Sequence, residues 1–174
     1  MLNYKYTDTE LKKILSSMVI LVDSREQKNQ NILSWYDKKK IPYEEHKLDY
    51  GDYSFYIPAN LDLSIQRDTY YDKNICIEKK NSVDELVGNF ATNRNRIEDE
   101  FIRHKGKMIL VIEDSSYKDI YEGNYQSKYN SKSAVGTLHS FSERYNVPFI
   151  FLDKEYTAKY IFCTFYYYLR ELYK

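Results

Sequence analysis

Three compact apolar runs, each closing on charged residues, constrain this chain more than any other feature. Met18-Val19-Ile20-Leu21-Val22 ends in Asp23, Ile75-Cys76-Ile77 runs into Glu78-Lys79-Lys80, and Met108-Ile109-Leu110-Val111-Ile112 ends in Glu113-Asp114. Apolar runs this short, rich in Ile and Val and bounded by charge, read as buried strands. Helical spacing appears between and around them at residues 8–17, 29–40, 82–104, 117–121, 133–145 and 155–173. Ser82 with Glu85 three residues later carries the capping-box signature for the third of these helices. Further strands are expected at 44–49, 53–57 and 147–152, with Gly51-Asp52 as a tight turn into the second of them. The polar stretch 58–74 is too long for a simple hairpin loop. Strands alternating with helices predict an α/β sandwich around a mixed sheet. The length of 174 residues suits one core, and no repeat, linker or Pro/Gly-rich boundary divides it, so 1–174 reads as a single domain.

Composition narrows the function classes. With 43% apolar and 30% charged residues the chain is globular rather than disordered. No apolar run approaches the roughly 18–20 residues that span a bilayer. The opening residues lack the apolar stretch of a secretory signal, so a cytoplasmic protein is expected. Cys76 and Cys163 are far apart in apolar sequence and read as reduced thiols. With His46, His104 and His139 scattered, no Cys/His metal cluster is expected, and none of the histidines is assigned a role. A formal net charge of zero argues against a protein that coats nucleic acid, but not against an enzyme that gathers positive charge at one site. The twenty tyrosines fit either an AT-rich coding sequence or a functional use.

Chemistry concentrates at Glu78-Lys79-Lys80. On a strand, residues i and i+2 project from one face, so Glu78 and Lys80 point together while Ile75 and Ile77 turn to the other side. An acidic group, a spacer and a lysine form the second half of a PD-(D/E)xK nuclease site, in which two carboxylates hold a divalent metal beside a lysine. The triplet alone is unspecific: it starts at Glu10, Glu26, Asp37, Glu45 and Glu78. Only Glu78 follows an apolar strand, precedes a capped helix and has a Gly-Asp pair upstream. A carboxylate at the end of a buried strand is costly without compensation. The plainer alternative is an ion pair between Glu78 and Lys80. Asp23-Ser24-Arg25-Glu26 likewise places charge beyond a strand, at the kind of strand end where sites gather in α/β sheets.

In this setting the residues resemble the nuclease domain of XPF-type structure-selective endonucleases. Three blocks match in order: Val22-Asp23-Ser24-Arg25-Glu26, Gly51-Asp52-Tyr53, and Ile77-Glu78-Lys79-Lys80 with Asp84 four residues on. The resemblance spans roughly residues 18–155, including the helix bearing Arg94 and Arg96, and is nearest to small single-domain bacterial and phage members. It implies a restriction-endonuclease-like fold, a mixed central sheet flanked by helices on both faces. It also implies Asp52, Glu78 and Lys80 as the catalytic centre, with Asp23, Asp52 and Glu78 holding Mg²⁺ or Mn²⁺. A backbone carbonyl near Lys79 is a further candidate donor. Arg25, Glu26, Lys79 and Asp84 would surround the centre, and Arg25, Lys79, Arg94 and Arg96 would contact DNA phosphates. For Arg94 and Arg96 the alternative is pairing with Glu98 and Glu100. Lys79 stands where the family usually has arginine, which removes a bidentate grip on phosphate. The segment between Asp52 and Glu78 is longer than in eukaryotic members, and the family's tandem helix-hairpin-helix module and helicase are not seen.

The expected activity is hydrolysis of phosphodiester bonds in branched, flapped or single-strand-containing DNA. A metal would polarise the phosphate and acidify a bound water, and Lys80 would orient or deprotonate that water or stabilise the pentavalent phosphorus. A catalytically silent scaffold subunit and an RNA-directed phosphodiesterase are the alternatives. At the C-terminus, Ile161, Phe165, Tyr168, Leu169 and Leu172 form a stripe that seats a helix on the sheet. Tyr160, Phe162, Tyr166, Tyr167 and Tyr173 lie outside it. A helix apolar nearly all round is usually buried on more than one side, so homodimerisation through this end is expected, as in XPF-type nucleases.

Overall fold

The computed structural model describes residues 6–174. The reading of the N-terminus as free of a signal falls partly on residues 1–5, outside the described residues. In chain order the elements are α1 (Asp8–Ser16), β1 (Val19–Asp23), α2 (Gln30–Lys39), β2 (Tyr43–His46), β3 (Tyr53–Ile57), a 3-10 turn (Leu61–Leu63) and β4 (Thr69–Tyr70). They continue with β5 (Ile75–Lys80), α3 (Val83–Thr92), α4 (Arg94–Arg103), β6 (Lys107–Glu113), α5 (Tyr117–Glu122), α6 (Ser131–Tyr145), β7 (Phe149–Leu152) and α7 (Lys154–Tyr173). The strands form one seven-stranded mixed sheet in the order β2-β1-β3-β5-β6-β7, with β4 beside β3. β3 runs antiparallel to β1 and β5, whereas β2 and β1 are parallel, as are β5, β6 and β7. None of the described helices is long and apolar enough to cross a membrane.

Strand alternation divides the core in two. Ile20, Val22, Tyr53, Phe55, Ile57, Ile75, Ile77, Ile109 and Val111 face a layer built by α1, α2 and α7 through Ile14, Ile32, Tyr36, Ile161, Phe165 and Leu169. Cys76, Met108, Leu110 and Ile112 face the opposite layer, with Leu86, Phe90, Phe101, Leu138 and Phe141. That second core takes no residue from β1, β2 or β3. The helices therefore cover only the β5–β7 half of this face, and a cleft opens beside it.

Three local differences from the sequence reading shape that cleft. The expected helix over 82–104 is broken at Asn93, whose φ of −122° leaves the helical range. α4 therefore starts afresh at Arg94. Strand β2 stops at His46 instead of running to residue 49, because the Leu48 N–H turns inward to donate to Asp23 Oδ2 at 2.9 Å. Ser82 does cap α3 by accepting from the Glu85 N–H at 3.3 Å, but the Glu85 carboxylate does not close the box. It accepts instead from the Asn81 N–H and side-chain amide, at 2.9 and 2.8 Å.

α7 absorbs much of its aromatic surplus internally. Tyr160, Phe162, Tyr166, Tyr168 and Tyr173 pack partly buried on the first core, and the Tyr173 and Tyr71 hydroxyls share a 2.6 Å hydrogen bond. Leu172 does not belong to the seated stripe. It is 54% exposed, as Tyr156 is, with Tyr167 at 53%.

Candidate active site

Neighbouring strand ends bring the acidic residues together. The Asp23 N–H donates to the Asp52 carbonyl at 2.8 Å, and the Asp52 N–H donates to the Ile77 carbonyl at 2.8 Å, so β1, β3 and β5 meet where their charges begin. Gly51 makes this approach possible. It holds φ +68°, and a Cβ there would lie 3.0 Å from both Cys76 Cβ and the Ile77 carbonyl oxygen. A side chain at this position meets both left-handed strain and backbone contact. The glycine of the Gly-Asp pair is thus dictated by the close passage of β5.

Asp52, Glu78, Asp23 and Arg25 line a cavity of about 530 Å³, walled on the other side by Arg96, Asp99, Glu100 and Arg103 of α4. Asp52 Oδ2 accepts from the Lys79 N–H at 2.7 Å. Burial, then the nearby charge of Glu78, pushes the Asp52 carboxyl up to about 8. The Lys80 ammonium donates to Glu78 Oε1 at 2.6 Å, with Glu85 Oε1 3.9 Å away. Burial works against the charge on Lys80, but Glu78 foremost, with Glu85 and Asp52, holds it above the ordinary lysine value. The charge of Glu78 disfavours ionisation of Asp52, and a bound cation would relieve it. Their hard oxygens suit Mg²⁺ or Mn²⁺. Among the described residues no group of three or more His, Cys, Asp or Glu forms a ready-made metal cluster. Asp52 and Glu78 are the carboxylates of this cleft that could hold a metal.

Several expected residues take other places. Asp23 is 2% exposed and both its oxygens are occupied. Oδ1 accepts from Arg25 N and Nε, and Oδ2 accepts from Arg25 Nη2 and the Leu48 N–H, all at 2.8–2.9 Å. Burial alone would raise its pKa, but these bonds outweigh it and hold the carboxyl below the usual range. In this arrangement Asp23 anchors Arg25 and offers no free oxygen as a metal ligand. Lys79 is a clearer correction. Alternation sends it away from Glu78 and Lys80 into the interior, where its side chain is fully buried and 3.8 Å from Glu26 Oε1 and 3.7 Å from Glu113 Oε2. A lysine sealed there does not reach a DNA phosphate. Asp84 accepts from the Gln126 N–H and ties α3 to the loop after α5, outside the cleft lining.

Arg94 lies outside the cleft lining, 42% exposed, and makes the alternative pairing with Glu98. Its guanidinium lies 5.0 Å from the Phe141 ring centroid, donates to Thr137 Oγ1 at 3.2 Å and pairs with Glu98 at 3.9 Å, joining α4 to α6. Arg96 does face the cleft, and it is joined there by Arg103, Asp99 and Glu100, which sequence reasoning missed. Burial and then the charge of Glu78 raise the Glu100 carboxyl above its ordinary value. The signal available was helical spacing: Arg96, Glu100 and Arg103 share one face of α4 at i, i+4 and i+7.

The strand order, the cleft at the open half of the sheet and the paired carboxylates with their lysine define a restriction-endonuclease-like nuclease fold. Residues 22–164 match the ERCC4 domain, and the chain belongs to that family of XPF-type nuclease domains. Among solved structures it resembles XPF from Aeropyrum pernix at 17% identity and a TM-score of 0.61, covering 88% of this chain and 66% of that one. The same archaeal protein in complex with DNA matches at 17% identity and a TM-score of 0.58, covering 88% of this chain and 64% of that one. The chain thus spans about two thirds of the structures it resembles. No curated protein sequence matches it.

Proposed function

We propose that this chain is a metal-dependent endodeoxyribonuclease that hydrolyses phosphodiester bonds in branched or single-strand-containing DNA. One observation carries the reading: Asp52 and Glu78 stand together, half-buried, in a cleft that also carries Arg25, Arg96 and Arg103, beside the charged Lys80. Mg²⁺ or Mn²⁺ held by Asp52 and Glu78 would supply Lewis acidity toward the phosphate and a water of lowered pKa. Lys80, kept charged by its carboxylate neighbours, suits stabilising the phosphoryl oxygens or orienting the attacking water. Arg25, Arg96 and Arg103 supply positive charge along the cleft, which positions a phosphate backbone without reading bases. The solved complex of the archaeal XPF with DNA supports a DNA substrate. The aromatic and apolar residues left exposed on α7, Tyr156, Tyr167 and Leu172, support a homodimer through this end.

The test is cleavage of labelled flap, fork, Holliday, linear duplex and RNA substrates with Mg²⁺, Mn²⁺ or EDTA. Incision of branched DNA that needs a divalent ion is expected. Cutting at a fixed short sequence in intact duplex, or only of RNA, would replace the substrate assignment. Light scattering across micromolar concentrations reads the oligomer, and a monomer throughout would remove the dimer.

A further inference from the structure

Lys79 and Lys80 leave β5 on opposite faces of the sheet, yet their side chains are joined. The Lys79 ammonium donates to Asn81 Oδ1 at 2.8 Å and to the Lys28 carbonyl at 3.2 Å, with buried Glu113 and half-buried Glu26 as counter-charges. Asn81 then donates from its backbone and side-chain nitrogens to Glu85 Oε2 at 2.9 and 2.8 Å. The other Glu85 oxygen stands 3.9 Å from the Lys80 ammonium, which is bonded to Glu78. Hydrogen bonds therefore run from the ion cluster behind the sheet, round the end of β5, to Glu85, and a charge–charge contact of 3.9 Å makes the last step to the lysine in front.

Asn81 is the link that makes this path possible. An amide accepts at its oxygen and donates at its nitrogen, so one side chain satisfies a cation on one side and an anion on the other. Aspartate would accept from Lys79 but repel Glu85, and alanine would leave both ends loose. Lys79 also gives its backbone N–H to Asp52, so the same tether fixes the strand segment that carries both catalytic carboxylates' partners.

We propose that Asn81 is a positioning residue that holds Glu85, and through it the Lys80 ammonium, from the buried Lys79 cluster. Its consequence for cleavage rests on the nuclease reading above; its consequence for Lys80 does not. Residues that orient a reacting group in this way typically change activity tenfold to a hundredfold when lost.

The first readout needs neither metal nor DNA. The Lys80 ammonium ¹⁵N–¹H resonance, assigned by its loss in Lys80→Ala, is expected to be observable in the wild-type chain and shifted or exchange-broadened in Asn81→Ala. An unchanged resonance in the variant overturns the proposal. The second readout is single-turnover cleavage, expected to fall about tenfold to a hundredfold while DNA binding measured in Ca²⁺ stays within about twofold. A wild-type chain that never cleaves contradicts the nuclease reading and leaves the resonance test standing. An active wild type with Asn81→Ala cleaving within twofold of it contradicts the role of Asn81. If Asn81→Ala does not fold, Glu85→Gln carries the same two tests, because its amide oxygen still accepts from Asn81 and only the charge facing Lys80 is lost. Asn81→Ala and Glu85→Gln combined should cost no more than the worse of the two alone. Additive losses would show that they act separately.

Discussion

Replacing Asp52 by asparagine should stabilise the metal-free protein while abolishing cleavage. Burial and the charge of Glu78 raise this carboxyl from 3.8 to about 8 in the folded chain. Between those two values the folded state holds a proton that the unfolded state has released. Stability then falls as pH rises, by about 1.4 kcal/mol for each pH unit. From pH 5 to pH 7 the wild type should therefore lose roughly 2–3 kcal/mol through this group, a loss that the uncharged amide of Asp52→Asn cannot suffer. The amide keeps an oxygen for the Lys79 N–H, so the local hydrogen bond survives. Denaturant unfolding in EDTA at pH 5, 6, 7 and 8 measures the effect. The gap between Asp52→Asn and wild type should widen steadily with pH across this range. Parallel stability profiles, or a variant that becomes relatively weaker with pH, would refute the penalty that burial and Glu78 place on the Asp52 charge. The same proton must leave when a cation binds, so divalent-ion affinity should rise with pH toward 8 and binding should release protons into the buffer. Calorimetry in two buffers of different ionisation enthalpy checks that release.

Other consequences follow from particular contacts. Gly51→Ala places a methyl against Cys76 and the Ile77 carbonyl at a φ of +68°. It should cost roughly 2 kcal/mol or more and depress cleavage, as read by unfolding and activity together; a neutral result would mean that β3 and β5 do not pass so closely. Lys79→Met leaves Glu113 buried without its cation, and removing one partner of such a pair typically costs about 3–5 kcal/mol. Thermal unfolding should show that loss, whereas an exposed lysine would show almost none. Arg96→Ala and Arg103→Ala should each weaken DNA binding and lower its salt dependence by about one released counterion, while Arg94→Ala should mainly reduce stability.

The sequence exposes its own site where local rules suffice. Two-residue periodicity joins Glu78 to Lys80, and the Gly-Asp pair marks the turn that brings Asp52 beside them. That periodicity also sends Lys79 to the other face, but local pattern does not reveal that this face is sealed there by Glu26, Glu113 and the loop into α2. The family resemblance therefore placed Lys79 among the phosphate contacts. Asp23 stands at the expected strand end, yet its oxygens are claimed by Arg25 and by Leu48, 25 residues away in sequence. That closure depends on how the loop after β2 folds back. The wall of the cleft was hidden for a related reason. Periodicity over 82–104 continues smoothly through Asn93, whereas the chain breaks there and directs Arg96, Glu100 and Arg103 at the carboxylates. The α/β sandwich was legible because strands alternating with helices predict it, and the family resemblance supplied the helices on both faces of the sheet.

The most direct test of the central assignment compares wild type with Glu78→Gln on one labelled fork substrate under single-turnover conditions, with Mg²⁺ and with EDTA. The glutamine keeps the shape and removes the negative oxygen that faces Lys80, so folding should persist and circular dichroism should match. Cleavage is expected in only one of the four reactions, wild type with Mg²⁺. Full activity in folded Glu78→Gln, or undiminished wild-type cleavage in EDTA, would contradict a metal-dependent centre built on Asp52, Glu78 and Lys80.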